Sequence, residues 1–335
     1  MHSTLSSSNF PAGEVGGVNP QEALFNIKKR CQERKEGRNS SLKTALVLQG
    51  GGMRGVFGAG VCCALEELGY REGFDEVYGV SAGALNGAYF LSGQAAYGTT
   101  IYYQDINNRK FINFLRIKKI MDIDFLINVI KKIKPLNLRK IEKSPTPLNV
   151  VLTRVSDGKA CVFKSTFYMK DILDILKATA AMPLIYDIPV KIGDFYYLDG
   201  GISCPIPICE AIEDGCTDIL VVLTRPKGYK PEFSKTFFDF YVRARIKRYG
   251  ERFYRIFLER SKIYRERLSI INGEKKVGRK VNILAIFPGT SFRVKRTTKR
   301  KALLKAAAIE GGIKTLRIFG REDFHPLEVL RFLNT

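Results

Sequence analysis

Two stretches of this chain set glycines directly after an apolar run and directly before a small-residue run that favours helix. In the second of them, Val77 and Tyr78 lead into Gly79-Val80-Ser81-Ala82-Gly83, and Ala84, Leu85, Asn86, Gly87 and Ala88 follow. A Gly-x-Ser-x-Gly turn of this kind demands a strand that bends sharply into a helix. The flanking glycines permit the bend, and the serine hydroxyl is held out where a carbonyl can reach it. The same pattern also occurs as a plain Gly-rich turn with a solvated serine, so other segments must decide. In the first stretch, Ala45-Leu46-Val47-Leu48 leads into Gly50-Gly51-Gly52-Met53-Arg54-Gly55 and a helix-like run from Val56 to Leu68. Glycines there let several backbone amides converge on one anionic atom, and the following helix N-terminus adds a favourable dipole.

That loop also fits other chemistries. Gly50, Gly52 and Gly55 satisfy the dinucleotide pattern G-x-G-x-x-G, and Asp75 follows Gly55 by 20 residues, near the spacing of a ribose-binding acid. In a dinucleotide site the acid ends the second strand, whereas Asp75 precedes the expected strand Glu76–Tyr78, whose far end carries Ser81. A triphosphate loop needs Lys and Ser/Thr after its last glycine, but Gly55 is followed by Val56 and Phe57. Nucleotide binding is therefore the weaker reading.

A nucleophilic serine needs a base, and the chain has only two histidines, His2 and His325. His2 lies in a Ser/Gly/Pro-rich leader, and His325 precedes Pro326 near the C-terminus, so a Ser-His-Asp triad is possible only through His325. The other candidate is Asp199 in Tyr197-Leu198-Asp199-Gly200-Gly201, at the end of an expected hairpin, Val190–Ile192 and Phe195–Leu198 across Gly193-Asp194. In an open parallel sheet, residues leaving the carboxyl ends of neighbouring strands converge on one crevice, which would bring together Asp199, Ser81 and the glycine loop. As plain turn chemistry, Asp-Gly-Gly needs no such role.

Taken together, Gly50–Gly55, Gly79–Gly83 and Asp199–Gly201, in this order and spacing, resemble the patatin-like phospholipase family. The likeness runs over roughly residues 43 to 225 and includes Lys177-Ala178-Thr179-Ala180-Ala181-Met182-Pro183, similar to the family's Ala-and-Pro block. It implies a three-layer α/β/α fold and a Ser-Asp dyad without histidine. By position, Ser81 would be the nucleophile and Asp199 the base, with Gly51, Gly52 and the amide of Ala82 as the oxyanion hole. Arg54 matches the family's loop arginine, either bracing the loop through backbone carbonyls, the preferred reading, or meeting a substrate phosphate or carboxylate. No metal or other cofactor is expected.

A length of 335 residues with 45% hydrophobic composition suits two units with a sizeable core. The expected division is a disordered or loosely packed leader at 1–42, a catalytic domain at 43–225 with a mainly parallel sheet, and a basic, largely helical accessory segment at 226–335. Further strands are expected at Asn149–Val155, Ala160–Phe163, Ile219–Leu223 and Val281–Phe287. The leader lacks a continuous apolar run, and no stretch of 18 uncharged apolar residues occurs, so neither an export signal nor a membrane span is expected. Seven irregularly spaced cysteines fit reduced thiols and a cytoplasmic setting. Ile120, Ile123, Ile127 and Ile130 fall at helical steps between lysines, an amphipathic helix from Ile120 to Ile133 that packs on the core and borders the site's mouth.

The net charge of +22 is concentrated: residues 225–301 hold 24 Lys/Arg against 6 Asp/Glu, a net +18. Within them Tyr249, Phe253, Phe257, Tyr264 and Leu268 form an apolar helical stripe among arginines, expected to pack on the catalytic domain. The basic face suits a solvated surface, a nucleic-acid groove or anionic lipid headgroups, and the motifs favour lipid. The expectation is a lipid acyl hydrolase of phospholipase A or lysophospholipase type, with peripheral contact at an anionic inner membrane face. Its competitors are a nucleotide-binding protein using the Gly50–Gly55 loop and a basic lipid- or nucleic-acid-binding module without catalysis.

Overall fold

Continuous apolar runs, rather than alternating ones, mark the central strands. Thr44–Leu48, Glu76–Val80 and Asp218–Val222 are buried along their whole length, as happens where helices cover both faces of a sheet. The computed structural model describes residues 15–229 and 237–320. Among these, nine strands build one sheet: β1 (Val15–Gly16), β2 (Thr44–Leu48), β3 (Glu76–Val80), β4 (Leu148–Arg154), β5 (Ala160–Lys164), β6 (Val190–Ile192), β7 (Phe195–Asp199), β8 (Asp218–Val222) and β9 (Asn282–Ile286). Their order is β1-β9-β8-β2-β3-β4-β7-β6, with β5 also paired to β4. The middle strands β9, β8, β2, β3 and β4 are parallel. The strands at the two edges, β1, β5, β6 and β7, pair antiparallel.

The helices that matter for the site are α1 (Pro20–Lys35), α2 (Val56–Glu67), α3 (Ala82–Leu91), α4 (Ile123–Asn128), α5 (Ile172–Ala180), α6 (Glu251–Ile271) and α7 (Lys301–Phe319). Side-chain alternation along the strands sorts them into two outer layers. Leu46, Leu48, Val77 and Leu220 share a core with Ile27 of α1, Phe57 and Val61 of α2, Ala88 of α3 and Leu304 of α7. Ala45, Val47, Tyr78 and Ile219 face the other way, onto Ile208 and Ala211 of a short helix and Tyr264, Ile270 and Ile271 of α6. The result is the expected α/β/α sandwich. α2 and α7 cross closely because glycines meet there: a Cβ on Gly60 would lie 1.9 Å from the Ala308 carbonyl oxygen, and one on Gly311 2.2 Å from that of Phe57.

Three expectations change. The leader is not loose from residue 15 onward: Val15 pairs with Ile286, and α1 buries Ala23, Leu24, Ile27 and Cys31. These four fall at helical steps, and surrounding charge hides the stripe in composition. Arg30 and Arg34 of α1 both reach Asp75, so that acid is engaged structurally and the dinucleotide reading loses its ribose contact. The boundary at residue 225 is crossed by β9, which pairs with β8 over its full length, so the basic segment contributes a central strand. Finally, the helix expected from Ile120 begins only at Ile123, where the Asp122 side chain caps it by accepting from the Phe125 amide at 3.1 Å. It runs on as a π-helical turn at Val129–Ile133, with Ile123, Ile127 and Ile130 buried as the spacing requires.

Candidate active site

β3 ends at Val80 and α3 starts at Ala82, leaving Ser81 alone in the turn. Its backbone sits at φ 53°, ψ −130°, a conformation that costs a non-glycine residue roughly 1–3 kcal/mol. Surrounding bonds hold it there. The Ser81 amide donates to Thr179 Oγ1 at 2.9 Å, and that hydroxyl donates to the Val151 carbonyl at 2.7 Å. The Ser81 carbonyl accepts from the Ala84 amide at 3.0 Å. Thr179 lies within the Lys177–Pro183 block, so its position was visible in the sequence although its task was not.

Asp199 arrives by a route that pairing explains. The first half of β4 pairs in parallel with β3, ending at Val80↔Val151. Its second half pairs along the same edge with β7 running the opposite way, from Leu152↔Asp199 to Arg154↔Tyr197. β7 therefore points head-on at the end of β3, and its last residue faces Ser81. The expected crevice between parallel neighbours is replaced by two strand ends that meet. The Ser81 side chain lies near enough to the Asp199 carboxylate to help stabilise its charge, and both line the same cavity. The Gly201 amide donates to Asp199 Oδ1 at 2.7 Å, and Thr153 Oγ1 donates to the Asp199 carbonyl at 2.8 Å. Asp199 is only 1% exposed. Burial pushes its carboxyl up to about 6, against the opposing pull of the Gly201 amide, the Ser81 hydroxyl and Arg296. His2 and His325 both lie outside the described residues.

The glycine loop stacks on the serine: a Cβ on Gly50 would fall 2.7 Å from Ser81 Cβ. The amides of Gly51 and Ala82 donate to no atom of the described residues. Gln49 and Thr224, neither singled out in the sequence, hold the loop. Thr224 Oγ1 donates to the Gly50 carbonyl at 2.6 Å, and the Thr224 amide donates to Gln49 Oε1 at 2.7 Å. The bracing expected of Arg54 thus falls to Thr224. Arg54 is 7% exposed, and its Nε has no hydrogen-bond partner. Burial, then Arg296 and Arg225, pull its proton affinity down to about 9.

These groups border one cavity of about 280 Å³. Its lining includes the apolar Leu85, Ile101, Phe111, Met121, Ile123, Leu126 and Ile130 together with Arg54, Arg225, Arg260, Arg296, Tyr229 and Tyr264. The amphipathic segment after Ile120 therefore does border the site, as expected. Arg225, Arg260 and Arg296 were missed as site residues because nothing in the sequence separates them from the many other cations of the basic segment.

Comparison with known proteins places residues 46–212 on the model of the patatin-like phospholipase family. The chain is 31% identical over 201 residues to the uncharacterized protein YjjU of Escherichia coli K12, a match covering 58% of this chain and 56% of that one. It thus spans little more than half the length of this curated relative. Two solved structures also align. VipD from Legionella pneumophila does so with a TM-score of 0.43 and 15% identity, over 84% of this chain and 67% of that one. Human GIVD cytosolic phospholipase A2, in complex with a fluorophosphonate inhibitor, gives a TM-score of 0.37 and 10% identity over 94% and 64%. Through residues 46–212, which also hold the glycine loop, Ser81 and Asp199, the chain belongs to the patatin-like phospholipase family.

Proposed function

We propose that the protein is a lipid acyl hydrolase in which Ser81 and Asp199 act as a dyad. The observation that carries this is the buried Asp199 carboxylate, brought by β7 to the end of β3 beside Ser81, with both residues at the wall of a largely apolar cavity. Ser81 Oγ attacks the ester carbonyl carbon and passes its proton to Asp199. The oxyanion that forms is met by the amides of Gly51, Gly52 and Ala82. Collapse expels the alcohol, which takes the proton from Asp199 and leaves Ser81 acylated. Water then attacks the acyl carbon, giving its proton to Asp199, and Ser81 leaves with that proton as the acid is released. An ordinary aspartate is a weak base, and the upward shift to about 6 brings Asp199 nearer to working pH.

The apolar residues of the cavity lining suit an acyl chain. A loop beside it suits a lipid surface: Phe114, Leu115 and Ile117 are 64%, 92% and 73% exposed, next to Arg116 and Lys118 in sequence. The loop's base is tied where Ile112 bridges Met121, a cavity residue. Apolar tips flanked by cations match an anionic bilayer interface. Among the described residues no helix is long and apolar enough to cross a membrane.

The test of the activity is ester hydrolysis by purified Ser81→Ala and Asp199→Asn. Each is expected to lose about 10³-fold or more in kcat. Full activity in either folded variant would show the dyad to be wrong.

A further inference from the structure

The cavity holds more positive charge in its lining than the proposed chemistry uses. Four arginines line it, and Asp199 is the only carboxylate among the lining residues. Arg54, Arg225 and Arg296 form no ion pair among the described residues. Arg225 lies over the Tyr229 ring with its guanidinium carbon 4.2 Å from the centroid. Arg296 crosses the glycine loop: a Cβ on Gly52 would fall 2.7 Å from Arg296 Cγ, and the Arg296 carbonyl accepts from the Met53 amide at 3.0 Å. Arg54 lies on the same loop, its Nε 3.3 Å from the place a Gly51 Cβ would take. That Nε is buried without a partner. Mutually repelling cations, one of them buried with an unmet donor, are costly unless an anion joins them. Guanidinium groups are the side chains best shaped for phosphate oxygens. Arg225 and Arg296 both come from outside the residues matched by the family model.

We propose that Arg225 and Arg296, with Arg54, form a headgroup subsite for a phosphate monoester carried by the acyl ester, making acylglycerol phosphates the preferred substrates over neutral acylglycerols and zwitterionic phosphodiesters. This rests on the assignment of Ser81 and Asp199 as the hydrolytic pair. A terminal phosphate brings two charges to a site with surplus cations. A choline or ethanolamine headgroup would instead set an ammonium among guanidinium groups, with no carboxylate beyond Asp199 to receive it. An uncharged glycerol leaves the arginines unpaired.

The experiment compares kcat/KM on three octanoyl esters kept monomeric: the acylglycerol phosphate, the acylglycerol and the acylglycerophosphocholine. The phosphate monoester is expected to lead by about tenfold or more over each of the others, a factor worth about 1.4 kcal/mol. Arg225→Gln and Arg296→Gln are each expected to shrink that ratio, mainly through KM for the phosphate ester, and Arg296→Lys to restore part of it. Inorganic phosphate at millimolar concentration is expected to compete with the phosphate ester. Equal kcat/KM on all three esters, with fluorophosphonate still labelling Ser81, overturns the subsite and leaves the hydrolytic assignment standing. Stimulation of the neutral ester by inorganic phosphate, without preference among the esters, assigns the arginines to a free anion and also overturns it. No hydrolysis of any ester and no labelling removes the hydrolytic assignment and the subsite with it.

Discussion

At Asp199, removal from water raises the carboxyl from its ordinary 3.8 to about 6, and two consequences of opposite value follow. The native state holds a proton that the unfolded chain has released between pH 4 and 6, so stability falls as pH rises through that window. A rise of that size corresponds to about 3 kcal/mol at most. Asp199→Asn, which keeps an oxygen to accept from the Gly201 amide, is expected to melt above the wild type beyond pH 6 and to converge with it towards pH 4. A gap that does not change with pH in thermal melts contradicts this. In the proposed mechanism activity follows the ionised form, so kcat/KM on a neutral ester is expected to rise with an apparent pKa near 6. A profile flat from pH 5 to 8 removes Asp199 as the base. Ser81 and Asp199 were legible as candidates because glycines lie on both sides of Ser81 and directly after Asp199, each at a strand end. Arg296 was not, since its role depends on a fold that carries a distant loop over Gly52.

Among the elements, the decisive one is β4, which outruns β3 and uses the spare length to pair with β7. This makes two strand ends collide at the site, and no period in the sequence announces it. The strands themselves were readable: Ala160–Lys164 and Phe195–Asp199 match the expected hairpin arms within a residue or so. The hairpin partners were readable too, and what pattern alone left out was the long-range pairing of β4 with both β3 and β7. The α2–α7 crossing was equally hidden. Glycine inside a helix normally loses to alanine, but Gly311 faces a backbone oxygen at 2.2 Å from its would-be Cβ. Gly311→Ala is therefore expected to destabilise by about 1–3 kcal/mol as the helices are forced apart. A stabilised or unchanged midpoint in urea unfolding contradicts that packing.

Over the whole molecule, the basic C-terminal segment is structural as well as charged. Because β9 supplies a central parallel strand and α7 covers α2, a chain ending at residue 225 is expected to fail to fold cooperatively. A sharp thermal transition in that fragment shows the accessory picture to be the right one. The strand itself was legible, expected at Val281–Phe287 and found at Asn282–Ile286, but the charge around it set the segment apart as an accessory unit. On the outer face, Leu115→Ser with Ile117→Ser is expected to cut co-sedimentation with anionic liposomes severalfold, and added salt to weaken what remains. Unchanged binding removes the loop as the contact. Central to the proposed function is a hydroxyl activated directly by a carboxylate. The most direct measurement is the rate of fluorophosphonate labelling followed by peptide mass mapping, in wild type and in Asp199→Asn. The expected result is a single adduct on Ser81, formed at least a hundredfold more slowly in the variant; an adduct elsewhere, or one formed on Ser81 at the same rate in both, contradicts it.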